Sequence, residues 1–247
     1  MKKRDKFRKK NKGSLFKKLL LIICIVAGGL LVSSTDYFDV ETFEIDGNSY
    51  YSDQEVLVIG DCKPGGNIFW DIDFKDIKSR LEKDAYIENV KVKRQFPNGI
   101  RIEIKERTQI ASLIYGNHYV VVDKEGRVLR NTEVNPYITE IRGLTITKIE
   151  VGQLIEVEEK VKLRQGLEVL SAMDSNDMYF TKIEFTNSGV EAYVLENLKC
   201  EGTPQNIIKA LQAGDLQKVI VGLFKQDIQR GTVKISGGDY ISFSPEI

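Results

Sequence analysis

Past residue 37 the hydrophobic rhythm of the chain switches between every second position and every third or fourth, and the switches mark out elements. In residues 41–46, Phe43 and Ile45 alternate with polar neighbours, the period of a half-buried strand that Gly47 and Asn48 end. Ser52 and Glu55 have the spacing of a capping box, opening a short helix through Ile59 that Gly60 closes. After a turn at Pro64, Gly65, Gly66 and Asn67, Asp73 is placed to cap a second helix in which Phe74, Ile77 and Leu81 fall on one face. Two alternating strands follow, one with Val90, Val92, Arg94 and Phe96, the other with Ile100, Ile102 and Ile104, joined by the hairpin signal Pro97-Asn98-Gly99. The order strand, helix, helix, strand, strand predicts an antiparallel three-stranded sheet whose apolar face is covered by two helices.

The rest of the chain reads mostly as strands. Residues 119–122 form a short apolar run, Asp123-Lys124-Glu125-Gly126 a turn, and Val128 and Leu129 the start of the next strand. Leu163, Leu167 and Leu170 have helical spacing, and residues 183–185 and 190–194 pair across Asn187-Ser188-Gly189. Thr203-Pro204 has the form of an N-cap followed by proline at the first helical position. The last strand signals are residues 231–235 and 239–243, and the whole region is α+β in class.

Residues 19–35 break both rhythms, because no charge interrupts a run dominated by Leu, Ile and Val. A membrane-spanning helix takes roughly 17–25 such residues. Lys17 and Lys18 flank it where long basic side chains reach back to the interface, and Tyr37 and Phe38 follow it where interfacial aromatics belong. Charge settles the direction. The first 18 residues carry a net +9 and the remainder −9, so the formal net charge of +0 conceals an asymmetry. Basic flanks stay on the cytoplasmic side, which leaves everything after Asp36 outside. That balance also argues against a nucleic-acid binder. A cleaved signal peptide is the competing reading, since Val32, Ser33 and Ser34 follow the apolar run; the long charged region and full-length span favour an uncleaved anchor. Cys24, preceded by Ile22 and Ile23, is read as a small apolar side chain and not as a lipid-attachment site.

Phe43-Glu44-Ile45-Asp46-Gly47-Asn48, the turn Gly66-Asn67-Ile68-Phe69, Val90-Lys91-Val92-Lys93-Arg94, Phe96-Pro97 and the stretch from Ile102 to Glu106-Arg107 together resemble the POTRA domain of the FtsQ/DivIB cell-division family. The plan is similar as well: a basic cytoplasmic tail (1–18), one transmembrane helix (19–36), a POTRA domain (37–108) and a mostly antiparallel β domain with flanking helices (109–247). Val122-Asp123 with Gly126, and the stretch from Pro136 to Gly143, resemble motifs at the start of that β domain. One departure is Glu106-Arg107-Thr108-Gln109-Ile110-Ala111, which lacks the proline that the family carries there. The family pattern favours a strand after Thr203-Pro204, and a helix from Gly214-Asp215 that buries Leu216, Val219, Ile220 and Leu223. We adopt that reading as the expectation.

Catalytic chemistry finds little to use. His118 is the only imidazole, with neither a nucleophile elbow nor a catalytic-cysteine signature beside it. Asp71 and Asp73 have the spacing of carboxylates at a helix start, and residues 64–67 lack the Lys-Ser/Thr of a phosphate loop. Cys62 and Cys200 fall in different expected domains and are read as unpaired; Trp70 is read as a core or rim residue of the POTRA domain, with a partner contact as the alternative. No catalytic residue, metal or cofactor is expected. The resemblance implies a non-enzymatic scaffold of the divisome at the septal plasma membrane. Its implied partners are bitopic division proteins of the FtsB/DivIC and FtsL type, with an influence on the septal peptidoglycan synthase complex. It further implies that such a partner adds a strand near the chain end. The residues expected at that edge are Val233, Lys234, Ile235, Tyr240 and Ile241. Two alternatives are a POTRA-bearing translocation component and an anchored wall hydrolase. The first lacks the residues for an outer-membrane barrel, and the second lacks catalytic groups.

Overall fold

The computed structural model describes residues 12–237 and 240–246, so the basic tail up to Lys10 and Gly238 of the expected last turn lie outside the described residues. The chain divides into two compact units, one built on residues up to 81 with 89–105, the other on 82–88 with 106–247.

The first unit opens with α1 (Lys12–Ser33), in which the stretch Phe16–Ser33 is long and apolar enough to cross a membrane, its side chains exposed. Hydroxyls close its last turn: Ser33 and Ser34 donate to the carbonyl of Leu30, each at 2.9 Å, and Thr35 to that of Val32 at 2.8 Å. These contacts reinforce the backbone bonds from Ser34 N to Leu30 O and from Thr35 N to Val32 O, both 3.2 Å, at the helix end. A 3-10 turn (Asp36–Phe38) leads to β1 (Thr42–Asp46), α2 (Asp53–Ile59), α3 (Phe74–Leu81), β2 (Ile87–Gln95) and β3 (Gly99–Glu106). Both expected caps are present. Glu55 N donates to Ser52 Oγ while Ser52 N donates to Glu55 Oε2 at 2.8 Å, and Asp73 Oδ1 accepts from Lys75 N at 2.9 Å and Asp76 N at 3.2 Å. Ile100, Ile102 and Ile104 are buried on one face of β3, as are Val56, Ile77 and Leu81 of the helices.

The sheet order is β1-β3-β2, and β1 runs parallel to β3, Thr42 opposite Gly99 and Asp46 opposite Glu103. The expectation of an all-antiparallel sheet is corrected here. Two helices in succession return the chain to the end of the sheet where β1 finished, so β2 runs back against β1 and the hairpin partner β3 runs with it. Gly47 follows β1 at φ +87°, and a β-carbon there would collide with the Ile104 carbonyl oxygen. No other residue fits that close approach.

The second unit contains β4 (Ala111–Tyr115), β5 (His118–Val122), β6 (Val128–Thr132), β7 (Thr139–Arg142), β8 (Ile146–Lys148), β9 (Glu156–Val157), α4 (Lys160–Asp174), β10 (Lys182–Phe185), β11 (Val190–Leu195), β12 (Leu198–Gly202), α5 (Pro204–Gln212), α6 (Asp215–Lys225), β13 (Gly231–Ile235) and β14 (Ile241–Ser244). Nine strands form one sheet in the order β14-β13-β12-β11-β10-β7-β4-β5-β6, and β8 and β9 make a separate ribbon. Five neighbouring pairs are antiparallel and three parallel, β4 with β7, β7 with β10 and β12 with β13. Leu163, Leu167 and Leu170 of α4, Ile207 and Leu211 of α5, and Leu216, Ile220 and Leu223 of α6 share one core with inward residues of the sheet.

The strand expected after Thr203-Pro204 is instead the helix α5. Thr203 Oγ1 accepts from Asn206 N at 3.3 Å and Pro204 takes the first helical position. The long-range cause lies in β12 and β13, which are adjacent and parallel. Such neighbours need a crossover that carries the chain back to the starting end, and α5 with α6 supplies it. Of the residues expected to be buried on α6, Val219 is only partly covered.

Candidate partner-binding surface

Of the five residues expected at an open edge, three are interior. Val233, Lys234 and Ile235 lie on β13, which is bonded to β12 on one side and to β14 on the other. Val233 and Ile235 point into the core, at 0% and 5% exposure, and Lys234 points to solvent from the opposite face. The edge is therefore β14, one strand later. Alternation within 231–243 looks the same for an inner strand as for an edge strand, since the side-chain period carries no information about which backbone groups are already paired.

Register fixes which groups β14 leaves open. Ser236 N donates to the Tyr240 carbonyl at 3.0 Å, and the pairs Ile235–Ile241, Lys234–Ser242, Val233–Phe243 and Thr232–Ser244 continue that register. Antiparallel pairs alternate between bonded and unbonded, so Tyr240, Ser242 and Ser244 turn their amides towards β13. Ile241 and Phe243 turn theirs to the outside. Tyr240 is mostly exposed just before the strand, and Ile241 and Phe243 are half-buried against the core. At the opposite end of the sheet the start of β6 is occupied, because Val128 N donates to Gln153 O and Gly152 N to Val128 O, both at 2.8 Å.

The solvent face beside this edge is charged but internally neutralised. Lys234 is in register with Glu201, which is in register with Glu191. Glu191 accepts from Lys199 Nζ at 2.9 Å and from the Tyr193 hydroxyl at 2.6 Å, and these two donors hold its carboxyl below the usual range. Lys182 Nζ lies 3.8 Å from the centroid of the Tyr193 ring. Burial and then the Glu191 hydrogen bond push the Tyr193 phenol well above its ordinary value. Paired charges of this kind keep a sheet face wet and leave backbone edges as the available binding groups.

The four residues expected to flank a membrane are found at the two ends of the apolar helix. Lys17 and Lys18 are exposed on α1, Tyr37 is exposed and Phe38 half-buried in the 3-10 turn beyond it. The residues considered for catalysis have structural occupations. Asp71 Oδ2 accepts from Asn67 N at 2.8 Å, Asp73 caps α3, and His118 begins β5 opposite Tyr115. Cys200 is buried, which pushes its thiol up to about 12; burial followed by the neighbouring Asp61 charge pushes Cys62 up to about 11. Both thiols are free. Among the described residues no group of three or more His, Cys, Asp or Glu side chains is arranged to hold a metal ion.

Arg107 and Asp123 each lie in a family-like sequence motif, and the structure joins them. The Arg107 guanidinium donates to Asp123 Oδ2 at 2.8 Å, with side-chain exposures of 13% and 3%. The other carboxylate oxygen, Oδ1, accepts from Glu125 N and Arg127 N, each at 2.9 Å. One carboxylate thus holds the turn between β5 and β6 and ties it to the segment preceding β4. In the sequence the only hint is an Asp at the head of the turn Asp123-Lys124-Glu125-Gly126.

A family model of the FtsQ-type POTRA domain matches residues 38–107. Over most of its length the chain is similar to proteins named for cell division. A DivIB from Clostridium botulinum strain Hall is 27% identical over 184 residues, 72% of each chain. A DivIB from the Loch Maree strain is 25% identical over 239 residues, 92% of this chain and 90% of that one. An FtsQ from Syntrophotalea carbinolica is 24% identical over 180 residues, 71% of this chain and 62% of that protein.

Proposed function

We propose that this chain is a member of the FtsQ/DivIB family of bacterial cell-division proteins and a non-enzymatic, single-pass scaffold of the divisome, captured by its partners through β14. Its partners in this reading are bitopic division proteins of the FtsB/DivIC and FtsL type, through which it acts on septal peptidoglycan synthesis. The observation that carries it is the open edge of a nine-stranded sheet, with the Ile241 and Phe243 amides turned outward. An extended segment of a bitopic partner, running outside the membrane, meets such an edge by backbone hydrogen bonds alone, with the half-buried side chains on β14 setting the register. The POTRA domain is the module between anchor and sheet. Depleting the protein and following cells by microscopy tests the role: filaments with unconstricted septa are expected, and cells that lyse without filamenting would point to a wall hydrolase.

The edge makes a sharper prediction. Phe243→Pro removes an outward amide that no strand among the described residues uses, so the fold is expected to survive as it does with proline on other edge strands, while capture of the partner from membranes falls at least tenfold. Ser242→Pro removes a bond to β13 and is expected to lose folding as well. Lys234→Ala is expected to leave both nearly unchanged. Undiminished capture by a folded Phe243→Pro protein would remove β14 from the interface.

Topology has its own test. With α1 uncleaved and the tail cytoplasmic, protease added to intact protoplasts is expected to digest the region after Asp36 and spare the tail. A soluble product beginning near Thr35 would instead mark a cleaved signal peptide.

A further inference from the structure

We infer that the turn from Gly66 to Trp70, together with Phe96, forms a second membrane contact, placing one rim of the POTRA domain in the headgroup layer of the outer face. The inference rests on α1 being an uncleaved membrane helix. An α-helix rises about 1.5 Å per residue and the hydrocarbon core is about 30 Å thick. The 18 residues Phe16–Ser33, whose Lys17 and Lys18 reach back to the interface along their apolar stems, rise about 27 Å in helix, so Ser33 arrives near the far boundary of the hydrocarbon. Anything hydrogen-bonded to Ser33 sits at headgroup depth.

Asn67 is so bonded. Its side-chain amide donates to the Ser33 carbonyl at 2.9 Å, although the two residues are 34 positions apart, and Asn67 is itself buried. Its side-chain oxygen accepts from Phe69 N at 3.0 Å and its carbonyl from Trp70 N at 3.2 Å, so the residue that meets the helix end also shapes the turn carrying the aromatics. Ile68 N donates to Phe38 O at 2.9 Å and Val40 N to Gly66 O at 3.0 Å, which holds the turn against the chain just emerging from the membrane.

The rings make one surface. Phe38 lies 5.2 Å from Phe69, Phe69 5.6 Å from Phe96 and 6.5 Å from Trp70, centroid to centroid. Tyr37, Trp70 and Phe96 are 66%, 57% and 62% exposed, a concentration of large aromatic surface that water does not favour. Arg94 backs the cluster, its guanidinium 4.6 Å from the Phe74 centroid and its Nε donating to the Ile68 carbonyl at 3.0 Å. Amphipathic rings at the end of a membrane helix are the side chains that partition into the interface. Asp36, Asp39, Asp71 and Asp73 lie close by in the chain, so the contact takes neutral headgroups through its rings and gains nothing from anionic lipid.

Trp70 is the only tryptophan in the chain and reports on this contact directly. The full chain is reconstituted into phosphatidylcholine vesicles, with acyl chains brominated either near the headgroup or near the methyl end, and flotation confirms that α1 is inserted. Shallow bromines are expected to quench Trp70 severalfold more than deep ones, and iodide to quench it severalfold less than it quenches a free tryptophan amide. Adding phosphatidylglycerol is expected to leave both ratios unchanged. Phe96→Asp retains the reporter and is expected to weaken lipid quenching severalfold; unchanged quenching would mean that the anchor alone holds Trp70 there and would overturn the inference. A protein that floats while Trp70 remains open to iodide and untouched by bromine would overturn it too, leaving the rings as a surface for another protein. Failure to float would instead overturn the anchor, and this inference with it.

Discussion

Asp123→Ala is expected to destabilise the second unit by about 3–5 kcal/mol, the range for removing one member of a buried charge pair. The change leaves Arg107, 13% exposed, with only the longer 3.5 Å contact to the half-exposed Glu125 carboxylate, and strips two turn amides, Glu125 N and Arg127 N, of their acceptor. Buried donors left without partners carry a desolvation cost that a surface residue escapes. Asp123→Asn keeps an acceptor for the turn and loses the charge, so its cost is expected to be intermediate. Adding Arg107→Met to Asp123→Ala removes the stranded charge and is expected to recover part of the loss. Urea unfolding of the purified proteins orders these variants. A double variant less stable than Asp123→Ala alone would show that the pair is not what the carboxylate is for.

The second large effect is expected at Ile102. Its side chain is fully buried at 0% exposure, flanked in the same strand by Ile100 and Ile104 and in register with Ile45 of β1. Ile102→Ala empties part of that core, and about 2–5 kcal/mol is the usual cost. Arg101 next to it faces the other way and meets Glu44 at 2.6 Å, both side chains being about two-fifths exposed. An exposed pair of this kind contributes little, so Arg101→Ala is expected to leave the melting temperature nearly unchanged. Thermal melts that ranked the two variants the other way would shift the register of β3 by one residue, because a slip of one exchanges the faces of a strand.

Much of the POTRA domain was legible because its signals are local. The capping box at Ser52 and Glu55, the Asp73 cap, the alternation of Ile100, Ile102 and Ile104 and the Pro97-Asn98-Gly99 hairpin each involve residues within a few positions of one another. The second unit was harder to read where local signals conflicted with a distant requirement. Thr203-Pro204 carried a correct helical start signal, and the family pattern outweighed it; the parallel pairing of β12 and β13 shows why the helix was required. The candidate edge was missed by one strand for a related reason, since Val233 and Ile235 alternate as any strand does and only their partners on both sides make them interior.

By itself, then, the sequence determined the apolar stretch of α1 with its basic flank, the order of elements in the first unit, the capped helices and the inward face of β3. These follow from periodicity, capping and charge, which act between neighbours along the chain. The tertiary structure alone decided that β1 runs with β3, that β14 is the edge, that Arg107 closes on Asp123 and that Asn67 reaches the end of α1. Each of those contacts joins residues that chain order separates, and its free energy arises only when packing brings the partners together and excludes water from between them. No residue type or spacing announces such a contact, because the same side chains would serve equally well elsewhere on a different fold.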